Sequence, residues 1–428
     1  MKKSISFLLI LTMILSMLCI VPAVADGGTK RSGDFSYRVK QDGTVVITDY
    51  DFPSKSSGEL KITVPTLIDG YPVTEIGNSA FAYGASGQKV RILLPEGITK
   101  IGNSAFRDLK LTELNIPDSV EEIGDGILSS NANTTLNISM NHPHFALMNG
   151  LLYNKQQKKL IASITDDLRS GDIPEGIVSI GNYAFSGTTI DGVTFPSSLK
   201  EVGTHAFEHC CFKGHTFFPN VQILGKFAFF SCIPFSKDAC SICFKSLEEI
   251  GEQAFYFNGR DYLEEDPFFG GYYTAYNYIG IDFGNSPIIA IPDKVFAYDE
   301  YTVFWHEGFE IISINVKSIV SIGNGNRKLG PFFKSLSDFS PYLTSIPEGL
   351  NPAVDSLPNT IKRIESSAYG KRTDFYLPTS LEYIAEDAFA TGSTFIVEPD
   401  SYALRWCKDN GFGYKINGEK QDLDWLNN

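Results

Sequence analysis

A hexad of the form Ile-Gly-x-x-Ala-Phe recurs along this chain, and the recurrence limits the possible folds more than any other feature. Clear copies start at Ile76, Ile101, Ile180 and Ile250, looser ones at Val202, Leu224, Ile364 and Ile384, and an eroded one at Ile123. The intervals 76 to 101, 101 to 123, 180 to 202 and 202 to 224 are 25, 22, 22 and 22 residues. A unit this short has too little apolar surface to bury alone, so a core closes only if successive units stack.

Ahead of most copies lies a short apolar segment ending in proline: Ile92 to Pro95, Leu114 to Pro117, Ile173-Pro174, Val193 to Pro196 and Phe375 to Pro378. Each reads as one short strand, because proline cannot donate to a ladder and is confined to strand ends. The residues between, such as Glu96-Gly97-Ile98, turn the corner and return an apolar side chain to the core. The hexad glycine is expected to supply a tight or left-handed backbone. Alanine lets the wall come close, and phenylalanine fills the gap between coils. A parallel solenoid follows.

These residues resemble the BspA-like leucine-rich-repeat surface or secreted proteins of bacteria, over about Ile76 to Phe389 with gaps. The resemblance implies an α/β class of fold: a leucine-rich-repeat solenoid with a parallel strand ladder and short helical or turn segments, a β-hairpin cap at the N-terminus and a helical cap at the C-terminus. The flanks agree. Phe35 to Val39 and Val45 to Thr48 enclose Asp42-Gly43, a strong hairpin signal, and with Leu67 to Val73 they are similar to the family's N-terminal cap. Ser401 to Gly411 begins at a capping residue and ends at Asn-Gly, as a closing helix should. The expected organisation is a signal peptide at 1–25, an N-terminal cap at 26–75, the repeats at 76–395 and a C-terminal cap at 396–428, with 26–428 one elongated domain. Two interruptions are expected in the array, a hairpin near 142–164 and a Tyr-rich insertion near 256–280.

Residues 1–25 join a basic start, Lys2-Lys3, to an apolar run and to Ala23-Val24-Ala25, the pattern of a cleaved secretory signal. No later segment reaches the roughly 18 consecutive apolar residues of a membrane span. The chain is therefore expected to be secreted or extracellular, held to a surface, if at all, by a partner. Lys and Arg number 36 against 50 Asp and Glu, a net charge of −14, which argues against nucleic acid or an anionic membrane as partner.

Catalytic signatures are missing from the sequence: it holds no Gly-x-Ser-x-Gly, no His-Glu-x-x-His and no phosphate loop. His205, His209, Cys210, Cys211 and His215 crowd together in the manner of a zinc site. Yet no Cys-x-x-Cys accompanies them, and His205 fills a variable hexad position, so no metal or other cofactor is expected. Cys240 and Cys243 form a Cys-x-x-Cys without a second half, and a structural reading is preferred for them. Cys210 and Cys232 both follow a hexad phenylalanine by three places and should stack on adjacent coils, within disulfide reach. A disulfide and a pair of packed free thiols are both compatible with that stacking.

Two surfaces remain as candidates for function. The outward positions of the strand ladder include Arg91, Leu93, Glu113, Asn115, Thr194, Phe217 and Tyr376, which alternate with core positions. The insertion supplies Tyr262, Tyr272, Tyr273, Tyr276 and Tyr278, amphipathic rings of the kind enriched at interfaces. The resulting expectation is a monomeric, non-catalytic binding protein for an extracellular or cell-surface protein, with adhesion implied by the resemblance. The alternative is a glycan-binding module in which the insertion's tyrosines stack on sugar rings.

Overall fold

The computed structural model describes residues 28–53, 58–84, 87–129, 134–234, 240–255, 263–265, 272–274, 279–288, 290–292, 295, 309–314, 319, 321–324, 326, 333–334 and 338–418. Residues 1–25, expected to be a signal peptide, and Tyr262, Tyr276 and Tyr278 lie outside them. Tertiary contacts divide the chain into two units, Met1–His144 and Phe145–Asn428.

The first unit opens with an antiparallel meander, Lys30–Ser32, Phe35–Val39 and Val45–Tyr50. Its Asp42-Gly43 turn is held by Thr44, whose N–H and hydroxyl both donate to Asp42 Oδ1, at 2.8 and 2.7 Å. Val45–Tyr50 then pairs in parallel with Tyr71–Ile76, and every later pairing between coils of this unit is parallel. A narrow ladder links Glu75-Ile76, Lys100-Ile101 and Glu122-Ile123. A wider one links Leu60–Thr63, Lys89–Leu93, Lys110–Ile116 and Thr135–Ile138. Ile76 and Ile101 from the first, Ile62, Ile92 and Leu114 from the second, and Phe81 and Phe106 from the hexads share one buried core.

The second unit begins with Phe145–Met148, Leu151–Asn154 and Lys159–Ser163, a three-stranded antiparallel meander where the sequence suggested a two-stranded hairpin. Its last strand pairs in parallel with Ser179-Ile180 and starts another narrow ladder, through Glu201-Val202, Ile223-Leu224, Glu249-Ile250 and Ala290-Ile291 to Ser321-Ile322. A wide ladder joins His215–Phe218, Cys240–Phe244, Ile279–Asp282 and Phe309–Ser313. Because Cys240–Phe244 pairs directly with Ile279–Asp282, the Tyr-rich stretch leaves and re-enters the ladder between adjacent rungs. Within it, the backbones of Leu263–Glu265 and Tyr272–Thr274 pair antiparallel. The chain closes with the helix Tyr402–Asp409, capped by the Ser401 hydroxyl accepting from the Leu404 N–H, and with the strand Gly413–Ile416. This is the only α-helix among the described residues, and the hexads themselves are turns.

Two columns of phenylalanine fill the second unit. The hexad rings Phe185, Phe207, Phe229 and Phe255 stack nearly parallel at 5.3, 5.0 and 5.1 Å. The strand rings Phe195, Phe218, Phe244 and Phe283 form a second stack at 4.2, 5.0 and 5.8 Å. The columns meet edge to face, as at Phe218 and Phe229, inclined at 84°. Both geometries suit the ring quadrupole, and the spacing is close to that between hydrogen-bonded strands.

The hexad glycine plays a different part from the one expected. Gly77, Gly102, Gly203, Gly225 and Gly251 do not adopt positive φ; they sit where a Cβ would strike the neighbouring coil. On Gly225 that carbon would lie 2.5 Å from the Thr204 nitrogen and 2.6 Å from the Gly203 carbonyl carbon. The left-handed turn falls two residues later, on Ser79, Ser104, Tyr183, His205, Phe227 and Gln253, with φ between 54° and 60°. Contact between backbones thus selects glycine, and the strain is carried by ordinary residues that the stack holds in place.

Gly225→Ala should therefore cost about 3 kcal/mol or more, since rigid backbone must move. Gly176→Ala, at φ +99° but with nothing within 4 Å of its Cβ, should cost only the conformational strain, about 1 to 2 kcal/mol. Thermal unfolding of the two variants checks this; equal losses would mean that conformation, not contact, sets the requirement.

Candidate functional site

In the first unit the outward positions of the wide ladder form one connected polar row. Arg91 Nη1 lies 2.8 Å from Glu113 Oε2, and its Nε is 3.3 Å from Glu59 Oε2. Asn137 Nδ2 donates to Glu113 Oε1 at 2.9 Å. Thr112 is an extra residue in its strand, since Val90 pairs with Leu111 and Arg91 with Glu113. That bulge directs its hydroxyl onto Glu59 Oε1 at 2.6 Å. The sequence marked Arg91 and Glu113 but missed Glu59, which precedes its strand, and Thr112, whose bulge breaks the alternation. Asn137 was readable in principle, because it follows Asn115 by one 22-residue repeat.

Asn115 belongs to the same ladder but is committed to the fold. Leu94, just before Pro95, ends its strand, and Asn115 completes the ladder there: its Oδ1 accepts from the Leu94 N–H and its Nδ2 donates to the Leu94 carbonyl, both at 2.7 Å. Beside it opens a shallow cleft of about 410 Å³, lined by Glu96, Asn115, Pro117, Asp118, Asn137 and Ser139 among others.

In the second unit, Thr194 and Phe217 form a parallel bridge. The half-buried Phe217 ring lies under Lys245, whose Nζ is 4.8 Å from the ring centre. Tyr376 stands on Phe375–Leu377 and donates to Glu398 Oε1 at 3.0 Å; burial first, then that bond, raises its phenol pKa. Arg91, Glu113 and Asn115 are thus neighbours in one row, Thr194 and Phe217 neighbours in another, and Tyr376 stands in a separate three-stranded ladder. Of the insertion, the backbones of Tyr272 and Tyr273 lie in a described strand; the positions of the rings lie outside the described residues.

Within the histidine and cysteine cluster, His205 and Cys210 take structural roles, as does Cys232 on the next coil. His205 is sandwiched between Tyr183 and Phe227, with ring centres 4.7 and 4.8 Å away. Cys210 and Cys232 are free thiols, donating to the carbonyls of Phe185 and Phe207 one coil back at 3.0 and 2.9 Å. Their burial pushes both thiols well up from the ordinary cysteine value. Among the described residues no three His, Cys, Asp or Glu side chains are grouped to hold a metal ion.

Residues 74–162 and 162–262 match the BspA type leucine rich repeat region in six copies. Residues 74–262 are thus leucine-rich repeats of the BspA type. No curated protein matches it significantly. Three solved structures are similar to it. A leucine rich cell surface protein from Faecalibacterium prausnitzii is 20% identical over 94% of this chain and 97% of that one, with a TM-score of 0.36. A leucine-rich repeat protein from Eubacterium ventriosum is 16% identical over 85% and 95%, at a TM-score of 0.41. Another, from Bacteroides ovatus, is 18% identical over 90% and 99%, at 0.35. The BspA-type repeats make the molecule a scaffold of stacked coils, and no described helix is long and apolar enough to cross a membrane.

The polar row has a pH signature. The Thr112 hydroxyl, donating to Glu59, and then the Arg91 charge hold that carboxyl below its ordinary value of 4.5. A depressed folded pKa contributes stability that is complete above the unfolded value and fades as pH falls through the folded one. The wild-type protein should therefore lose stability relative to Glu59→Gln between about pH 5 and pH 3. Parallel urea titrations across that range read it out; curves that run parallel would show that the row adds nothing to the fold.

Proposed function

We propose that this protein is an exported, non-catalytic binding scaffold whose outward ladder positions engage an extracellular or cell-surface protein. The observation that carries the reading is the row Glu59–Arg91–Glu113–Asn137, in which charged side chains on successive coils fix one another in place. Side chains already held in one geometry lose little rotamer freedom on binding. A row of alternating sign selects a partner by charge complementarity more than by apolar area. Leu93 beside the row and Phe217 on the wide ladder of the second unit supply apolar anchors among polar neighbours, the composition typical of specific interfaces.

Export rests on the basic, apolar and Ala-x-Ala pattern of residues 1–25. On this reading residues 26–75 and 396–428 cap the repeats of 76–395. Adhesion is the role the family resemblance supplies. Thr194 and Tyr376 are further candidate positions on ladders of the second unit, and the insertion tyrosines Tyr262, Tyr272, Tyr273, Tyr276 and Tyr278 are the place to look for a contribution outside the ladder.

The purified protein, immobilised and exposed to parallel panels of extracellular matrix proteins and of glycans, should bind at least one protein saturably. Arg91→Ala, Leu93→Ala and Phe217→Ala should each weaken that binding by about 1 to 2 kcal/mol, roughly five- to thirtyfold in Kd, with unfolding midpoints close to wild type. Binding confined to glycans, or protein binding indifferent to all three substitutions, sinks the proposal.

A further inference from the structure

The Cys-x-x-Cys of the second unit is split by the strand that carries it. Residues three apart on a strand face opposite ways. In Cys240–Phe244, Cys240 turns into the core with Ile242 and Phe244, whereas Cys243 is only partly buried and shares the outward face with Ser241. The two thiols therefore do not serve as a redox pair. Instead, Cys243 stands at the end of a short hydrogen-bonded series. Its Sγ is 3.5 Å from Ser241 Oγ, and Ser241 Oγ is 2.7 Å from His215 Nδ1 on the adjacent strand. His215 pairs in register with Ser241 and is exposed to solvent. With the imidazole proton on Nε2, Nδ1 accepts from the Ser241 hydroxyl, which in turn accepts from the Cys243 thiol.

We propose that Cys243 is a nucleophilic thiol, activated through Ser241 by His215, that takes up a small disulfide by exchange. Ser241 receives the Cys243 proton as it passes its own to His215. The thiolate then attacks one sulfur of R–S–S–R, a new sulfur–sulfur bond forms, and the old one breaks. The departing R–S⁻ collects the proton from the imidazolium. One protein thiol and one disulfide thus become one mixed disulfide and one free small thiol, and no other oxidant is required.

The surroundings favour this residue over the other cysteines. Burial raises the thiols of Cys210, Cys211, Cys232, Cys240 and Cys407, which disfavours their reactive thiolate forms. Two charges stand near Cys243: Lys245, just past the end of the same strand and over Phe217, and Asp282 in register on the next strand. Lys245 supports a thiolate and Asp282 opposes it, which leaves the relay as the deciding feature. Cys243 pairs in register with Phe217, so a protein seated on that anchor would also cover the thiol.

The test is peptide-level mass spectrometry of the purified protein during timed exposure to oxidised glutathione and, separately, to iodoacetamide. Cys243 should react about tenfold faster than any other cysteine with both reagents. Ser241→Ala and His215→Gln should each slow Cys243 by about tenfold and leave Cys211 unchanged. His215 is exposed, so His215→Gln tests the relay even where Ser241→Ala disturbs the strand. Unchanged Cys243 rates in a folded His215→Gln variant, or Cys211 reacting first in the wild type, would overturn the assignment.

Discussion

Everything in this molecule follows from how closely one coil lies on the next. At the hexad glycines a backbone nitrogen or carbonyl of the preceding coil occupies the space of a missing Cβ, with virtual contacts of 2.3 to 2.9 Å for Gly77, Gly102, Gly203, Gly225 and Gly251. That approach sets the rise per coil near the spacing of hydrogen-bonded strands, and the same rise lets the phenylalanine rings stack face to face. Glycine, ladder and ring column are one constraint met three ways. The same contact explains why residues such as Tyr183 and His205 tolerate a left-handed backbone: an L-residue in that region costs about 1 to 2 kcal/mol, and bonds to the next coil offset it. The Tyr183 N–H donates to the Thr204 carbonyl and the His205 N–H to the Lys226 carbonyl.

Tight stacking also creates a polar problem, because corners leave backbone groups that no strand satisfies. Short side chains reach across one coil to meet them. The Gly97 and Gly176 N–H groups donate to the hydroxyls of Ser119 and Ser198, which donate in turn to the carbonyls of Ile98 and Ile177. Asn78, Asn103 and Asn182 accept from backbone N–H groups of Asn103, Asp125 and Thr204. Glu175 accepts from the N–H groups of Ser197 and Ser198, and the Ser197 bond leads in lowering its pKa. Many serines and asparagines that look like free surface in the sequence are therefore inter-coil clasps.

This division decides how much was legible beforehand. The period, the apolar strand and the hexad phenylalanine can be read from sequence because burial allows few residue types at those positions. The glycine was read as supplying a tight or left-handed backbone, whereas at Gly77, Gly102, Gly203, Gly225 and Gly251 a close approach between coils selects it, and only coordinates separate the two causes. Asn115 shows the limit from the other side. By alternation it is an outward ladder residue like Arg91, yet its amide is spent on Leu94 because Pro95 ends that strand. Thr112 escaped notice because a bulge shifts the alternation, and bulges leave little trace in a sequence without a glycine to mark them.

With the core and the corners committed, chemistry is left to the outward ladder positions, and the ladder dictates what they can do. Parallel register places one side chain of each coil directly over its counterpart, close enough for a hydrogen bond or ion pair and no closer. Neighbouring outward positions, across and along the strands, can become a chain of alternating charges, as at Glu59, Arg91 and Glu113, or the relay proposed for His215, Ser241 and Cys243. On the proposed binding role, specificity resides in the order of side chains along a row. A single substitution there can change a partner while leaving the stack, and hence the fold, intact.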